Sequence, residues 1–434
     1  MQKILDVVGI GFGPANIALA AALEELRPDL ESLFLERSAS VIWQENMLFE
    51  NALDIHSNIQ NIPHRDLATP RNPRSRYTFL NYLHENGLLF KHLNMDLMMP
   101  MRPEYARYIG WVAAQFSHCF VGNTTVASIT VDEKSTAYRI ETTRGECYLA
   151  RHVVLGTGRP PRIPAIFDQH QSDRVVHFSK YLTAIRKLVA DGARKIAVLG
   201  SSQTAAELML HLTKQFPQLE VDGIMRRFAF PLKDTSPFMS EIYFPEFTEA
   251  YFKATPELKK RFDRDVVRTN YGAADMDVIE EIYKQIYHDT LSGKNKLTLH
   301  RMTDITDVAS TPDGVTLTMN HHLESLTRQR EYDGVILATG FRNFGPGTED
   351  INVPPLLNNV RDYLVLEENS LAVNRDYSAV MRPGMSGKIF MNGLSEAMHG
   401  MGDAGSLSLA SIRAKEIVDA MSTTEVKVAS HDCR

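Results

Sequence analysis

The sequence predicts an α/β fold with two Rossmann-like, dinucleotide-binding domains and one small helical insert, and three observations predict it. A strand, glycine turn, helix and strand open the chain over residues 4–35. The same grammar returns near residue 200. From about Pro231 to Ser292 strand alternation gives way to aromatic-rich helical segments.

In the first unit Ile4-Leu5-Asp6-Val7-Val8 reads as a buried strand and the residues from about Ala15 to Leu26 as a helix. Ser32-Leu33-Phe34-Leu35 is the second strand, ending at Glu36. In the second unit the strand Lys195–Leu199 leads into Gly200-Ser201-Ser202-Gln203-Thr204, a helix from about Ala205 to Leu212, and a further strand, Val221–Ile224. Within the insert, Pro245–Phe252 and Met276–Tyr287 carry helical patterning. Val315–Met319 and Val335–Ala338 return to strand character, Lys388–Met391 reads as a buried strand, and Leu407–Met421 as a closing helix. Gly156-Thr157-Gly158 after Val153–Leu155, and Asp333–Phe341, are strand-to-turn segments of the kind by which a chain crosses between two such domains. No short repeat period is present.

Composition bounds the rest. A chain of 434 residues has room for two or three packed domains. Hydrophobic residues at 44% and charged residues at 23% are ordinary for a globular protein, and a net charge of -6 gives no basis for a nucleic-acid partner. Cys119, Cys147 and Cys433 form neither a CxxC pair nor a disulfide framework, so a reducing cytoplasm is expected. Asp6, Gly11, Gly13 and Pro14 interrupt what would be the apolar region of an export signal. No stretch approaches the ~18 apolar residues of a transmembrane helix. The last ten residues or so read as a frayed tail.

The first turn, Gly9-Ile10-Gly11-Phe12-Gly13-Pro14, sits between a strand and a helix. Gly9 permits the tight turn and Gly11 lets the backbone approach a pyrophosphate, while the helix start supplies free N–H groups and a positive dipole end. Pro14 suits the first helical turn, where its missing N–H has no partner to lose. Glu36, at a strand end, is placed to accept hydrogen bonds from a ribose. In the second turn Ser202 replaces a glycine, still allowing close approach and adding a hydroxyl. Arg226 and Arg227 follow the next strand, where a guanidinium answers a 2′-phosphate and favours NADPH over NADH. His321 and His322 are adjacent, with no further ligand at metal-site spacing, so no metal is expected and a solvated turn is the reading there. No nucleophile motif of the G-x-S-x-G kind or Ser/His/Asp order stands out, so no side-chain nucleophile is expected.

With these pieces in order the chain resembles the flavin-dependent N-hydroxylating monooxygenases, the L-ornithine N5- and L-lysine N6-hydroxylase family of siderophore biosynthesis. The residues that carry the resemblance are Gly11-Phe12-Gly13-Pro14-Ala15-Asn16, the block from Asp66 to Ser75 running into Tyr77–Leu83, Ser236-Pro237-Phe238, Thr269-Asn270-Tyr271, Ala338-Thr339-Gly340-Phe341 and His399-Gly400. It covers nearly the whole chain. It implies FAD at Gly9, Gly11, Gly13, Pro14, Glu36 and the adjoining Arg37, with Trp43 and Met47 near the flavin. NADPH is implied at Gly200, Ser201, Ser202, Gln203, Thr204, Arg226 and Arg227. An FAD domain over 1–165 and 335–434, an NADPH domain over 166–230 and 293–334, and a substrate-binding insert over 231–292 follow.

The family's chemistry is implied with it. NADPH reduces FAD, O2 adds to give a C4a-hydroperoxide, and the neutral amine of a small substrate attacks the distal oxygen to become a hydroxylamine. The resemblance further implies a homo-oligomer. For the substrate, the departures count most. In ornithine hydroxylases a Lys holds the substrate carboxylate and here the position is Arg65. An Asn at the amino-acid end is here Ser240, while a second Asn is kept as Asn270. Leu407 and Ser408 resemble the segment that contacts the reacting amine. Two changes at the amino-acid end lead to the expectation of a decarboxylated amine such as histamine, putrescine or cadaverine, with L-ornithine or L-lysine as the alternative; Arg65 is able to grip a carboxylate.

Rival classes fit less well. Disulfide reductases need a close cysteine pair, which is missing, and a reductase serving a protein partner leaves the Asp66–Leu83 block unexplained. Around His177 the sequence Arg174-Val175-Val176-His177-Phe178-Ser179 lacks the F-x-G-x-x-x-H linker of Baeyer–Villiger and S-oxygenating relatives. A non-catalytic flavin-binding sensor is separated from an enzyme by amine-stimulated NADPH oxidation.

Overall fold

A computed structural model describes residues 3–50, 62–97, 99–132, 135–385 and 387–422. The expected C-terminal tail and Cys433 lie outside the described residues. The chain begins with β1 (Ile4–Ile10), α1 (Pro14–Leu26) and β2 (Ser32–Leu35). Three helices follow, α2 (Phe79–Glu85), α3 (Leu89–Met95) and α4 (Arg102–Ala114). Then come β3 (Phe120–Val121), β4 (Val126–Asp132), β5 (Ala137–Thr142) and β6 (Cys147–Leu155).

The second half runs β7 (Val175–His177), α5 (Tyr181–Ala190), β8 (Lys195–Leu199), α6 (Gln203–Gln215) and β9 (Glu220–Ile224). Helices α7 (Pro245–Lys253), α8 (Pro256–Asn270) and α9 (Met276–Leu291) lead to β10 (Leu297–His300). The antiparallel meander β11 (Thr303–Ser310), β12 (Val315–His321) and β13 (Leu326–Tyr332) precedes β14 (Gly334–Leu337). A ribbon of β15 (Leu366–Glu367) and β16 (Ser370–Leu371), then β17 (Ile389–Met391), α10 (Glu396–His399) and α11 (Ala410–Ser422) close the chain.

Two sheets organise these elements. The first has the order β3-β2-β1-β6-β5-β4, with β17 also on β6. β6 runs parallel to β1, pairs antiparallel with β5 through Cys147–Ala150 and parallel with β17 through Val153–Leu155. Helix α1 is buried from Asn16 to Leu23 and packs on α11, which explains why it is apolar on nearly every side. The second sheet is parallel throughout in the order β10-β9-β8-β14-β7. The meander packs on one side of it, Val315, Leu317 and Met319 meeting Ala197, Leu199 and Val335. This is the predicted α/β class, with one mixed sheet built on a parallel β2-β1-β6 centre and one wholly parallel sheet.

Three expectations are corrected. β14 lies between β8 and β7, so the chain is still in the second sheet at Leu337, past the division expected at 334/335. Helix α9 is not part of the insert: it packs on α6 and is the crossover between the parallel strands β9 and β10, its Ile282 buried among Ile196, Val198 and Leu208. The insert proper is α7 and α8. Periodicity shows an amphipathic helix but not which sheet its apolar face meets. Third, His321 ends β12 rather than sitting in a solvated turn. Its ring is buried against Thr303 Oγ1 at 3.2 Å, and only His322 is exposed, pairing with Asp304 at 2.7 Å. Among the described residues no helix is long and apolar enough to cross a membrane.

Candidate active site

The first turn is built by close approach. Gly11 has φ +83° and a β-carbon there would stand 2.6 Å from the Gly156 carbonyl, so the turn after β1 lies directly against the turn after β6. Gly13, by contrast, faces open space, with no atom within 4 Å of an added β-carbon. It is the N-cap of α1, Pro14 follows, and no side chain caps the helix start, which leaves its N–H groups for an anion. Glu36 closes onto the turn, one carboxylate oxygen accepting from Phe12 N at 2.8 Å and the other from Ser38 N at 2.9 Å. Arg37 is exposed. A Gly13 front open to a ligand and an uncapped helix start fit a pyrophosphate here.

Beneath this turn runs a buried polar chain that sequence reasoning missed. Asn16 Nδ2 donates to the Gly11 carbonyl at 2.7 Å, and Asn392 Nδ2 donates to Asn16 Oδ1 at 2.9 Å. Arg413 Nε donates to Asn392 Oδ1 at 2.8 Å, and its Nη1 pairs with Asp403 at 2.7 Å. Asp403 in turn accepts from Ser395 N at 2.9 Å. The glycine turn is thereby fixed from the C-terminal region, with each buried polar group answered. Asn16 stood inside a quoted motif, but the partner that ties it to the C-terminal region, Asn392, lies 376 residues away.

The second turn repeats the geometry. Gly200 has φ +145°, and a β-carbon there would meet the Ala338 carbonyl at 2.6 Å, so the turn abuts the end of β14. Ser201, Ser202 and Thr204 are half-buried at the start of α6, again with no side-chain cap. Gln203 departs from expectation. Its side chain is buried, donating to Glu207 at 2.9 Å and accepting from Asp275 N at 2.7 Å, so it braces the turn rather than facing a nucleotide. Arg226 is exposed, whereas Arg227 Nη1 donates to the Gly272 carbonyl at 3.0 Å.

Trp43 packs edge-on to Tyr105 at 5.9 Å, and Met47 is buried with Tyr181 and Leu208 while its carbonyl accepts from Arg102. The Asp66–Leu83 block folds around one carboxylate. Asp66 accepts from Ala68 N (2.8 Å), Thr69 N (2.6 Å), Thr69 Oγ1 (2.8 Å) and Phe79 N (2.6 Å). Burial pushes this carboxyl up and the donors pull it back. Arg71 and Asn72 then dock the block on α1 through Glu25, at 2.8 and 3.0 Å. Arg65 directly precedes this anchored block.

Arg65 is half-buried with its guanidinium 5.3 Å from the Phe244 ring centroid, and burial lowers its pKa. It thus faces the segment 239–244 that carries Ser240, whose N–H bonds the Ser236 carbonyl at 2.9 Å. Asn270 ends α8, and a β-carbon at Gly405 would overlap its Nδ2, so the insert touches the loop before Leu407 and Ser408. Leu407 packs on the first core, and Ser408 is buried with its N–H on Ser406 Oγ at 3.1 Å. Arg65 therefore meets the segment before α7, and Asn270 meets the loop before Leu407 and Ser408.

The two crossing segments meet as well. Pro161 and Phe341 form an antiparallel bridge, and Arg162 N donates to the Gly340 carbonyl at 3.0 Å. Beside this junction Arg159 Nη1 donates to Tyr271 Oη at 2.8 Å and to Asn343 Oδ1 at 2.7 Å. Tyr271 Oη donates to Glu396 Oε2 at 2.6 Å and Asn343 Nδ2 to Glu396 Oε1 at 3.1 Å. Burial raises the Glu396 carboxyl to about 7, against the pull of Arg159 and Tyr271. This cluster, also missed from sequence, ties both crossings to the insert and to α10.

Two uncapped, glycine-built helix starts, each after a parallel-paired strand and joined by paired crossings, are the architecture of a two-nucleotide flavoprotein oxidoreductase. The chain belongs to the L-lysine 6-monooxygenase/L-ornithine 5-monooxygenase family, whose model matches residues 3–343, and is a flavin-dependent N-hydroxylating monooxygenase. It is 33% identical to the L-ornithine N(5)-monooxygenase of Pseudomonas aeruginosa, over 95% of this chain and 92% of that one. It is 32% identical to the L-ornithine N(5)-monooxygenase of Burkholderia cepacia, over 92% and 90%. The structure of the Kutzneria ornithine N-hydroxylase, with reduced FAD, NADP+ and L-ornithine, superposes with a TM-score of 0.88 at 29% identity, covering 97% of this chain and 99% of that one. These relatives favour the amino-acid alternative over the decarboxylated amine expected from sequence.

Proposed function

We propose that the chain hydroxylates the side-chain amine of L-ornithine in siderophore biosynthesis, with NADPH and O2 as co-substrates. One oxygen atom goes to the nitrogen and the other leaves as water, NADPH supplying two electrons. Bound FAD supplies the electron transfer and O2 activation that side chains lack. Gly9, Gly11, Gly13, Pro14 and Glu36 would hold it. Ser201, Ser202, Thr204 and Arg226 would hold NADPH.

The observation that carries the substrate reading is Arg65. Its guanidinium is kept half-buried, 5.3 Å from the Phe244 ring, and its planar fork suits a bidentate grip on a carboxylate. Asn270 adds an N–H donor from the end of α8. Loop 405–408, behind them, supports orientation of the amine. We read the sheet of β1 as the FAD-binding domain, the sheet of β8 with α9 as the NADPH-binding domain, and α7–α8 as the substrate insert. The chain is read as cytoplasmic and homo-oligomeric, the latter on family resemblance and checked by light scattering.

A second reading, histamine, putrescine or cadaverine, is favoured by one observation. Ser240 is too short to replace a carboxamide at the amino-acid end. Hydroxylamine formation across ornithine, lysine, histamine, putrescine and cadaverine separates the two. Turnover of ornithine at least about tenfold more efficient than of any diamine or histamine supports the first, and the reverse order replaces it with the second.

A further inference from the structure

The loop between α10 and α11 carries a glycine that its backbone does not demand. Gly405 is not among the residues of positive φ, so any amino acid could take its conformation. Space is what excludes a side chain. A β-carbon at Gly405 would overlap Asn270 Nδ2 and stand 2.7 Å from Tyr271 Oη and 3.0 Å from the Met401 carbonyl.

These neighbours differ in how firmly they are held. Tyr271 Oη is fixed by Arg159 at 2.8 Å and Glu396 at 2.6 Å. The Met401 carbonyl is backbone, at a tight but tolerable distance. Asn270 Nδ2 is buried, and among the described residues it has no hydrogen-bond partner. A buried amide donor without a partner is costly unless a ligand answers it. Asn270 is therefore the group that would yield, and the group whose position a ligand would sense.

We propose that Gly405 is a specificity-determining position that acts through Asn270. Its missing side chain provides the berth in which the Asn270 carboxamide rests, and the berth sets where that donor meets an acceptor atom of the amine substrate. A methyl group at 405 drives the carboxamide out of the berth into the space that the substrate occupies. The nucleotide turns, built from other residues, are untouched. The proposal rests on reading Asn270 as a substrate contact, and it is independent of which amine is turned over.

The test is a double-mutant cycle of Gly405→Ala and Asn270→Ala in the FAD-loaded enzyme. It is read on whichever of the five amines is hydroxylated fastest. Gly405→Ala is expected to raise KM for the amine about tenfold, with kcat within about threefold and KM for NADPH unchanged. In the Asn270→Ala background the same change should add only the small part that contact with Tyr271 Oη transmits, because the displaced carboxamide is gone. An undiminished KM effect in that background, or no KM effect in the single variant, overturns the proposal. So does an Asn270→Ala variant with unaltered KM for every amine, which also removes the substrate-contact reading. If ornithine is inert but the cycle is coupled on another amine, the ornithine reading falls and the role of Gly405 stands. If Gly405→Ala alone does not fold, a double variant that folds supports the coupling, and one that does not fold refutes it.

Discussion

Arg102 on α4 donates to Glu207 on α6 at 2.8 Å, and both side chains are almost wholly buried, at 1% and 7% exposure. The pair joins α4 to the helix that starts at the second glycine turn, and Gln203 binds the same Glu207 oxygen at 2.9 Å. Removing one partner of a buried pair leaves an uncompensated charge, which costs about 3–5 kcal/mol. Arg102→Leu is therefore expected to lower unfolding stability by about that much in urea titration. Replacing Glu207 by Met in the same chain should recover most of the loss, since no lone charge remains.

Gly11 is a second sensitive point. Alanine at φ +83° carries a left-handed backbone penalty of about 1–2 kcal/mol and also presses on the Gly156 carbonyl. Gly11→Ala should purify with far less flavin, read as the ratio of absorbance near 450 nm to that at 280 nm. Gly13→Ala, where a β-carbon meets nothing within 4 Å of protein, should fold normally and lose flavin alone.

The pH dependence of stability has a defined sign. Folding raises the Glu396 carboxyl from its ordinary 4.5 to about 7, so the folded chain binds this proton more tightly than the unfolded one. The cost of burying the group is absent below pH 4.5 and complete above pH 7. Stability from this group falls as pH rises across that window. Thermal unfolding of wild type and Glu396→Gln, compared from pH 4.5 to 7.5, should show wild type losing stability relative to the variant as pH rises; parallel curves would contradict it.

Arg226 and Arg227 were both expected at the NADPH site, where a guanidinium answers the 2′-phosphate. With Arg227 already on the Gly272 carbonyl at 3.0 Å, exposed Arg226 is the better placed. Arg226→Ala should raise KM for NADPH about tenfold and leave that for NADH nearly unchanged. Arg227→Ala should have the smaller effect of the two on NADPH, measured by initial rates of oxidation at 340 nm.

Local pattern carried the fold a long way. The strand Lys195–Leu199 and the strand Ser32–Leu35 fall as expected, because glycine turns and apolar runs are written in consecutive residues. Helix α9 was misassigned because its crossover role depends on β9 and β10 pairing across it. The glycines of the two turns, Arg65 and Asn270 could be singled out one by one as candidates. Arg159, Glu396 and Gly405 were not among them, since the partner all three share, Tyr271, lies far away in sequence. Gln203 was misread for the same reason: its partner Asp275 comes from the segment before α9.

The ornithine reading makes Arg65 the carboxylate anchor. Arg65→Ala should raise KM for ornithine about a hundredfold, with Arg65→Lys intermediate because one ammonium replaces a bidentate fork. KM for NADPH should not move.

The central claim is tested most directly by incubating the FAD-loaded protein with NADPH, O2 and L-ornithine and assaying the hydroxylamine by mass. The account predicts a product heavier than ornithine by one oxygen atom, formed in step with NADPH oxidation. NADPH oxidation that yields only hydrogen peroxide with ornithine and with every other amine of the panel would contradict it.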